Sequence, residues 1–258
     1  MGVLNVTPDS FSDGGRFVAL DAALEHAHGM IEAGAAIIDI GGESSRPGAA
    51  PVPAEEELRR VLPLVERLAG SRVVISIDTT KAEVMRLAAA AGAGLINDVR
   101  ALREPGALDA ALASNCAVCL MHMQGEPRTM QVAPRYVDVV SEVKAFLSAR
   151  VQACLEAGFA QERLSIDPGF GFGKTQEHNL ELLAHLDELT GSDWPVVVGL
   201  SRKSMLGRIL GRPDADRLGA SVALAVMAVL KEARIIRAHD VGATVDALKM
   251  VAAVQHRR

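Results

Sequence analysis

Eight short apolar runs punctuate this chain, and each one ends in a polar residue or a small polar cluster. Asn5 follows Val3 and Leu4, Asp39 follows Ile37 and Ile38, Asp78 closes the run from Val73, and Asn97 with Asp98 follows Leu95 and Ile96. His122 closes the run from Val118, Asp167 the run from Leu164, Gly199 to Ser201 follow Val196 to Val198, and Arg237 to His239 follow Ile235 and Ile236. Between the runs lie stretches of helical periodicity rich in Ala, Leu, Glu and Arg, and this alternation predicts a parallel sheet with crossover helices. Eight repeats in 258 residues fit an α/β chain folded as one closed (β/α)8 TIM barrel, a single domain over residues 1–258. An open doubly wound sheet is the runner-up, but no GxGxxG follows the first strand, and Gly171 to Lys174 lacks Walker spacing.

The periodicity places helices at Asp21–Glu32, Ala54–Leu68, Lys81–Ala91, Ala107–Ser114, Val137–Glu156, Glu177–Leu189, Lys203–Leu210, Arg217–Glu232 and Val241–Val254. Thr80, Asp216 and Pro53 stand where N-caps are wanted, and Gly34, Gly92 and Gly158 where a left-handed C-cap is wanted. A net charge of -5 argues against broad nucleic-acid binding, and one Trp with one Tyr provides no stacking row for single strands. The apolar stretch Val222 to Leu230 is about half of the ~18 residues a membrane span needs. With no basic-then-apolar leader, the chain is expected to be cytoplasmic. Cys116 and Cys119 fall on opposite faces of a strand, so buried thiols are expected rather than a zinc half-site.

A polar side chain at the end of a buried strand costs desolvation unless it has a partner, so eight such tips in step imply one shared site at the barrel mouth. Taken singly, the residues have bland readings: Asp78 as a helix cap, Asn97 as a partner for rim backbone, Asp167 as a turn former before Pro168-Gly169, Lys203 as a solvated helix-start lysine. His122 is as well explained by packing under the Met123 loop as by ligand contact. Together, inward carboxylates and a carboxamide suit a flat heterocycle with adjacent N–H groups, with Lys203 donating to a ring carbonyl and Arg237 laid on a ring face. Asn5, Arg237 and His239 remain for an anion or its magnesium. Long turn-rich loops at Thr7 to Gly15 and Glu43 to Pro51 leave the carboxyl ends of strands, where they can fold over a ligand.

Gly2 to Gly15, Asp39 to Gly48, Asp167 to Lys174, Gly199 to Ser204 and Arg237 to His239 together resemble the motifs of the dihydropteroate synthase family, in order and over essentially the whole chain. The resemblance implies condensation of 6-hydroxymethyl-7,8-dihydropterin diphosphate with 4-aminobenzoate, release of diphosphate, and Mg2+ as cofactor. It places Asp78, Asn97, Asp167 and Lys203 on the pterin, with Met121 and Gly199 lining that pocket. Arg237 is implied to lie against the ring and, with His239 and Asn5, near the diphosphate and metal, with Ser45 touching the diphosphate. Phe11, Arg46, Pro47, Phe172 and Ser201 are implied to form the aminobenzoate site. Barrel generalities alone would instead make Ser201 to Ser204 a phosphate cradle after strand seven.

Family members implied by the resemblance often carry Thr where this chain has Ser45, a change that keeps the hydroxyl. They also have residues ahead of the position of Met1, so the amino-terminal end of the barrel is expected to be less covered. A homodimer through the late helices is implied as well. Two other readings remain open: a pterin-binding methyltransferase domain, for which Arg237 to His239 would be superfluous, and a silent pterin-binding paralogue.

Overall fold

The computed structural model describes residues 1–6, 16–44, 48–126, 129–212 and 214–255. Its strands are β1 (Gly2–Asn5), β2 (Ile37–Gly41), β3 (Val74–Asp78), β4 (Leu95–Asp98), β5 (Ala117–Met121), β6 (Leu164–Asp167), β7 (Val197–Val198) and β8 (Ile235–Ile236). The helices are α1 (Arg16–Glu32), α2 (Ala54–Leu68), α3 (Ala82–Ala90), α4 (Ala107–Ser114), α5 (Val139–Glu156), α6 (Gln176–Ala184), α7 (Asp187–Thr190), α8 (Ser204–Ile209), α9 (Leu218–Leu230) and α10 (Val241–Gln255). Seven of the eight polar tips therefore sit at or just beyond the carboxyl ends of their strands, whereas Asp39, expected to close its run, lies in the middle of β2 because the strand continues to Gly41.

Every pairing is parallel and joins chain neighbours, in one ladder from β1 to β6 and a second of β7 with β8. Single bridges join the two ladders into a ring. Ile166 bridges Val196, with its N–H donating to Pro195 O at 3.0 Å. Gly2 bridges Ala238, and there Val3 N–H donates to Ala238 O at 3.1 Å and Ala238 N–H to Met1 O at 2.9 Å. The Met1 amino group adds a bond to Ile236 O at 3.0 Å. These seams complete the barrel that the alternation of elements predicts.

Strand side chains alternate between two environments. Ile38, Ile40, Ile75, Ile77, Ile96, Val118, Leu120 and Ile166 share one core with helix residues such as Leu64, Leu68, Met85 and Leu147. Each such buried aliphatic side chain contributes about 1.5–3 kcal/mol. The opposite parity carries Asp39, Ser76, Asp78, Asn97, Cys119 and Asp167, so the barrel interior is polar where the ring between strands and helices is apolar. Cys116, Cys119 and Cys154 are buried free thiols, as expected.

Local punctuation agrees in part. Gly34, Gly92 and Gly158 take φ of 100°, 115° and 102°, the left-handed caps read from the sequence. Pro53 is the N-cap of α2, ahead of its acidic first turn, whereas α9 starts one residue later than expected with Arg217 at its N-cap, and Asp216 before it accepts from Leu218 N–H at 3.0 Å. Thr80 does not cap α3. The N-cap is Lys81 in extended conformation, Thr79 Oγ1 accepts from Lys81 N–H at 3.2 Å, and the Lys81 ammonium turns away to Glu43 and Glu57. The helix expected over Glu177–Leu189 divides into α6 and α7 at His185, although Leu182, Leu183, Leu186 and Leu189 keep a helical burial rhythm across the break.

Candidate active site

Strand register sets the first layer of the site. Asn5 pairs with Gly41, Gly41 with Asp78, and Asp78 with Asn97, so three polar tips stand at one level of three ladders. Glycine at 41 keeps that level open: a Cβ there would lie 3.5 Å from Asn5 Oδ1 and 3.6 Å from Asp78 Cβ. Met121 pairs with Asp167 and brings the sixth-strand carboxylate beside the Met121, Met123, Met130, Val99 and Phe172 cluster.

Asp39, whose role the sequence leaves least defined, is the hub just beneath this layer, level with Val3 and Ser76. It is 0% exposed and accepts from Ser76 Oγ at 2.6 Å, Asn97 Nδ2 at 3.1 Å and Arg237 Nε at 2.6 Å. The same guanidinium reaches Asp78 through Nη2 at 2.9 Å. One planar cation from β8 thus bridges two carboxylates from β2 and β3, the offset that clustered acids require. Burial and the neighbouring carboxylates Asp39, Glu57 and Asp98 nevertheless hold Asp78 up, to about 7, against the pull of Arg237. The guanidinium itself is held above its ordinary value by Asp39 and Asp78, which outweigh its burial.

Asp167 is buried, its acidity reduced first by desolvation, and its Oδ1 accepts from Gly169 N–H at 2.7 Å. The turn-forming role is therefore realised, and the carboxylate is held at the end of β6. Asn97 spends its amide on Asp39, leaving its carbonyl oxygen as an acceptor for a ligand N–H. Asp98 is different: it accepts from the N–H groups of Arg100 and Leu102 and serves as a buried turn anchor, with burial raising it to about 6.

On the opposite rim, Lys203 lies half-buried with its Nζ 4.5 Å from the Phe172 ring centroid, not free in solvent. Arg202 ahead of it has a left-handed φ of 56°, held by its N–H bond to Ser221 Oγ at 3.0 Å and its guanidinium pairing with Asp240. That strained turn sends Lys203 back toward the β6 loop. Ser201 Oγ accepts from the His239 N–H at 3.1 Å and meets His239 Nδ1 at 3.2 Å. A hydroxyl that accepts from the backbone and donates to Nδ1 leaves the His239 proton on Nε2. Burial and the cations Arg237, Arg202 and Lys203 push His239 down to about 4, so it is neutral at pH 7. Gly199 lies beside Arg237, where a notional Cβ would make ordinary contact at 3.8 Å from Arg237 Cβ. The helix after Ser201, α8, has only six residues.

His122 resolves toward packing: it is buried, its ring meets Phe146 edge-on at 4.9 Å, and Nδ1 accepts from Lys174 Nζ at 2.8 Å. Beside Asp78 opens a cleft of about 530 Å3 whose walls include Glu43, Glu57, Lys81, Arg86 and Arg100. Phe11, Ser45, Arg46 and Pro47 lie outside the described residues. Two features escape the sequence reading. Ser76 shares the inward parity of Asp78 and was detectable from that spacing; Lys174 closes a glycine-rich motif, where a terminal lysine gives no sign of burial.

Comparison with known proteins gives the family and the fold. Residues 1–239 match the family described as pterin binding enzyme. The chain is 55% identical over 254 residues to a dihydropteroate synthase of Escherichia coli K12, covering 98% of this chain and 90% of that one. Among solved structures it is similar to the Yersinia pestis dihydropteroate synthase in a sulfonamide drug complex, with 54% identity, a TM-score of 0.94 and coverage of 99% and 94%. It is also similar to the Burkholderia cenocepacia enzyme complexed with 7,8-dihydropteroate, with 52% identity, a TM-score of 0.90 and coverage of 100% and 91%.

Proposed function

The chain belongs to the pterin-binding enzyme family, among its dihydropteroate synthases, and on that premise we propose how its barrel mouth performs the reaction. The reaction joins 6-hydroxymethyl-7,8-dihydropterin diphosphate to 4-aminobenzoate, giving 7,8-dihydropteroate and diphosphate. The observation that carries the assignment of roles is the Arg237 fork between Asp39 and Asp78 in a buried layer completed by Asn97 and Asp167. A pterin presents its amino and ring N–H groups to Asp78, Asn97 and Asp167, and its carbonyl to Lys203, with Met121 and Gly199 as walls. Arg237 covers the ring and, with neutral His239 donating from Nε2, faces the diphosphate, to which the family resemblance also assigns Ser45. Phe172 and Ser201 belong to the aminobenzoate site, to which the family resemblance also assigns Phe11, Arg46 and Pro47.

The pterin methylene C–O bond breaks with its electron pair leaving on the diphosphate, and the electron-rich ring delocalises the resulting cation. The aromatic amine then forms the C–N bond and releases a proton to solvent. Carboxylates already fixed against the ring stabilise this cation more than the neutral substrate, and a closed mouth excludes competing water.

Among the described residues no group of His, Cys, Asp and Glu gathers to hold a metal alone. The single carboxamide of Asn5 beside Gly41 and Asp78 fits a Mg2+ that takes most of its ligands from phosphate and water. When bound, that ion supplies charge neutralisation for the departing diphosphate. A second copy of this chain is the proposed partner at α9 and α10, which pack together and carry the exposed apolar residues Met227, Leu230, Met250 and Val254.

The test is incorporation of labelled 4-aminobenzoate by the purified protein with pterin diphosphate and Mg2+. Product is expected with Mg2+ and is expected to vanish on chelation and return on its restoration. Pterin binding without any product would leave the silent-paralogue reading standing in its place.

A further inference from the structure

Lys174 is one of the largest side chains wholly inside the molecule, 2% exposed. Its ammonium donates to His122 Nδ1 at 2.8 Å, Gly169 O at 3.0 Å and Phe172 O at 3.1 Å. Those bonds use all three of its protons, and among the described residues none goes to a carboxylate. Burying an ammonium on neutral acceptors is costly, and desolvation lowers it to about 7 although the nearby Asp167 carboxylate pulls it upward. A methionine would fill the same space without that penalty.

We propose that Lys174 is a positioning residue, a strut between the end of β5 and the β6–α6 turn that holds Phe172 in place for the aromatic amine substrate. The two segments already touch closely. A Cβ on Gly169 would fall 1.8 Å from His122 O, and one on Gly173 would fall 2.4 Å from Gln124 O. Around the strut, the turn is fastened carbonyl by carbonyl: Gln131 Nε2 donates to Gly171 O at 2.6 Å and Tyr136 Oη to Gly173 O at 2.8 Å. Gly169 is also pinned by Asp167 at 2.7 Å, so Asp167 keeps its anchor without Lys174. Phe172 has less: its N–H reaches Gly169 O at 3.1 Å, and its carbonyl is held by the strut. Its ring carries the Lys203 ammonium at 4.5 Å. Loss of Lys174 therefore loosens the Phe172 side of the site more than the Asp167 side.

The inference rests on the dihydropteroate synthase reading, which supplies the aminobenzoate role of Phe172. Lys174→Met is expected to weaken 4-aminobenzoate tenfold or more, as KM and as calorimetric affinity in the presence of inorganic diphosphate and a pterin without a leaving group, while pterin diphosphate affinity stays within threefold. His122→Leu removes one acceptor and is expected to shift in the same direction, whereas His122→Asn, which returns an acceptor near the Nδ1 position, stays within threefold of the parent. This pair keeps the strut testable if Lys174→Met does not fold. Equal weakening of both substrates, no weakening, or indistinguishable His122→Leu and His122→Asn enzymes would overturn it. A parent that binds both substrates but forms no product would overturn the functional reading instead, and the binding comparison would still decide the strut.

Discussion

Asp78 is shaped by opposing demands, and they make its behaviour measurable. Its acidity is reduced from an ordinary 3.8 to about 7 because burial and neighbouring anions outweigh one guanidinium bond. With the folded-state value above the unfolded one, the native protein holds an extra proton between those limits. Its stabilising contribution is full below about 4 and is lost as the pH rises through about 7. His122 and His239, both held low, act in the opposite direction, so a difference experiment is needed. Parent and Asp78→Asn should diverge in urea melts, the parent losing unfolding free energy relative to the variant from pH 4 to 7; parallel curves would contradict this. In catalysis the same substitution should lower kcat by ~10²–10³ while changing pterin affinity much less, since the cation develops only on ionisation. Equal losses would remove differential stabilisation as the explanation. The sequence made Asp78 and Asp167 visible as strand tips. It left Asp39 undefined because its hub role depends on Arg237, a partner 198 positions away.

Strand ends are legible because a period of two shows directly which residues share a face: Asn97 and Asp167 stand where that spacing puts them, and His122, with the parity of Val118 and Leu120, packs instead on Phe146. Helix interruptions are less legible, since the leucine rhythm continues from α6 to α7 while the backbone does not. Close approach between elements leaves only a glycine behind, and glycines serve more than one purpose. Gly158 needs its left-handed φ of 102° but has open space around it, and Gly158→Ala should cost about 1–2 kcal/mol. Gly169 combines a φ of 69° with backbone 1.8 Å from a notional Cβ, and Gly169→Ala should exceed about 3 kcal/mol and disturb Asp167 as well. Calorimetric melting of the two variants checks the order; equal costs would mean that the β5 and β6 loops yield freely.

For the whole molecule, alternating strands and helices were enough to foresee a ring, but not which of its joints would be slight. Nor does the pattern say whether exposed apolar residues on α9 and α10 face a second copy. Sedimentation should give a dimer for the parent, and Met227→Glu with Met250→Glu should shift it toward monomer; a monomeric parent would leave that face without this partner. Closure has a further effect on motion. β7 and β8 pair through only Val197 with Ile235 and Val198 with Ile236, and one bridge on either side ties them to the longer ladder. Amide hydrogen exchange should reach this part of the wall before β2 to β5. Since Ser201, Arg237 and His239 are mounted just beyond it, a bound diphosphate ester should act as a clasp, slowing exchange at the Arg237 and Ala238 amides more than at strands that also touch the ring.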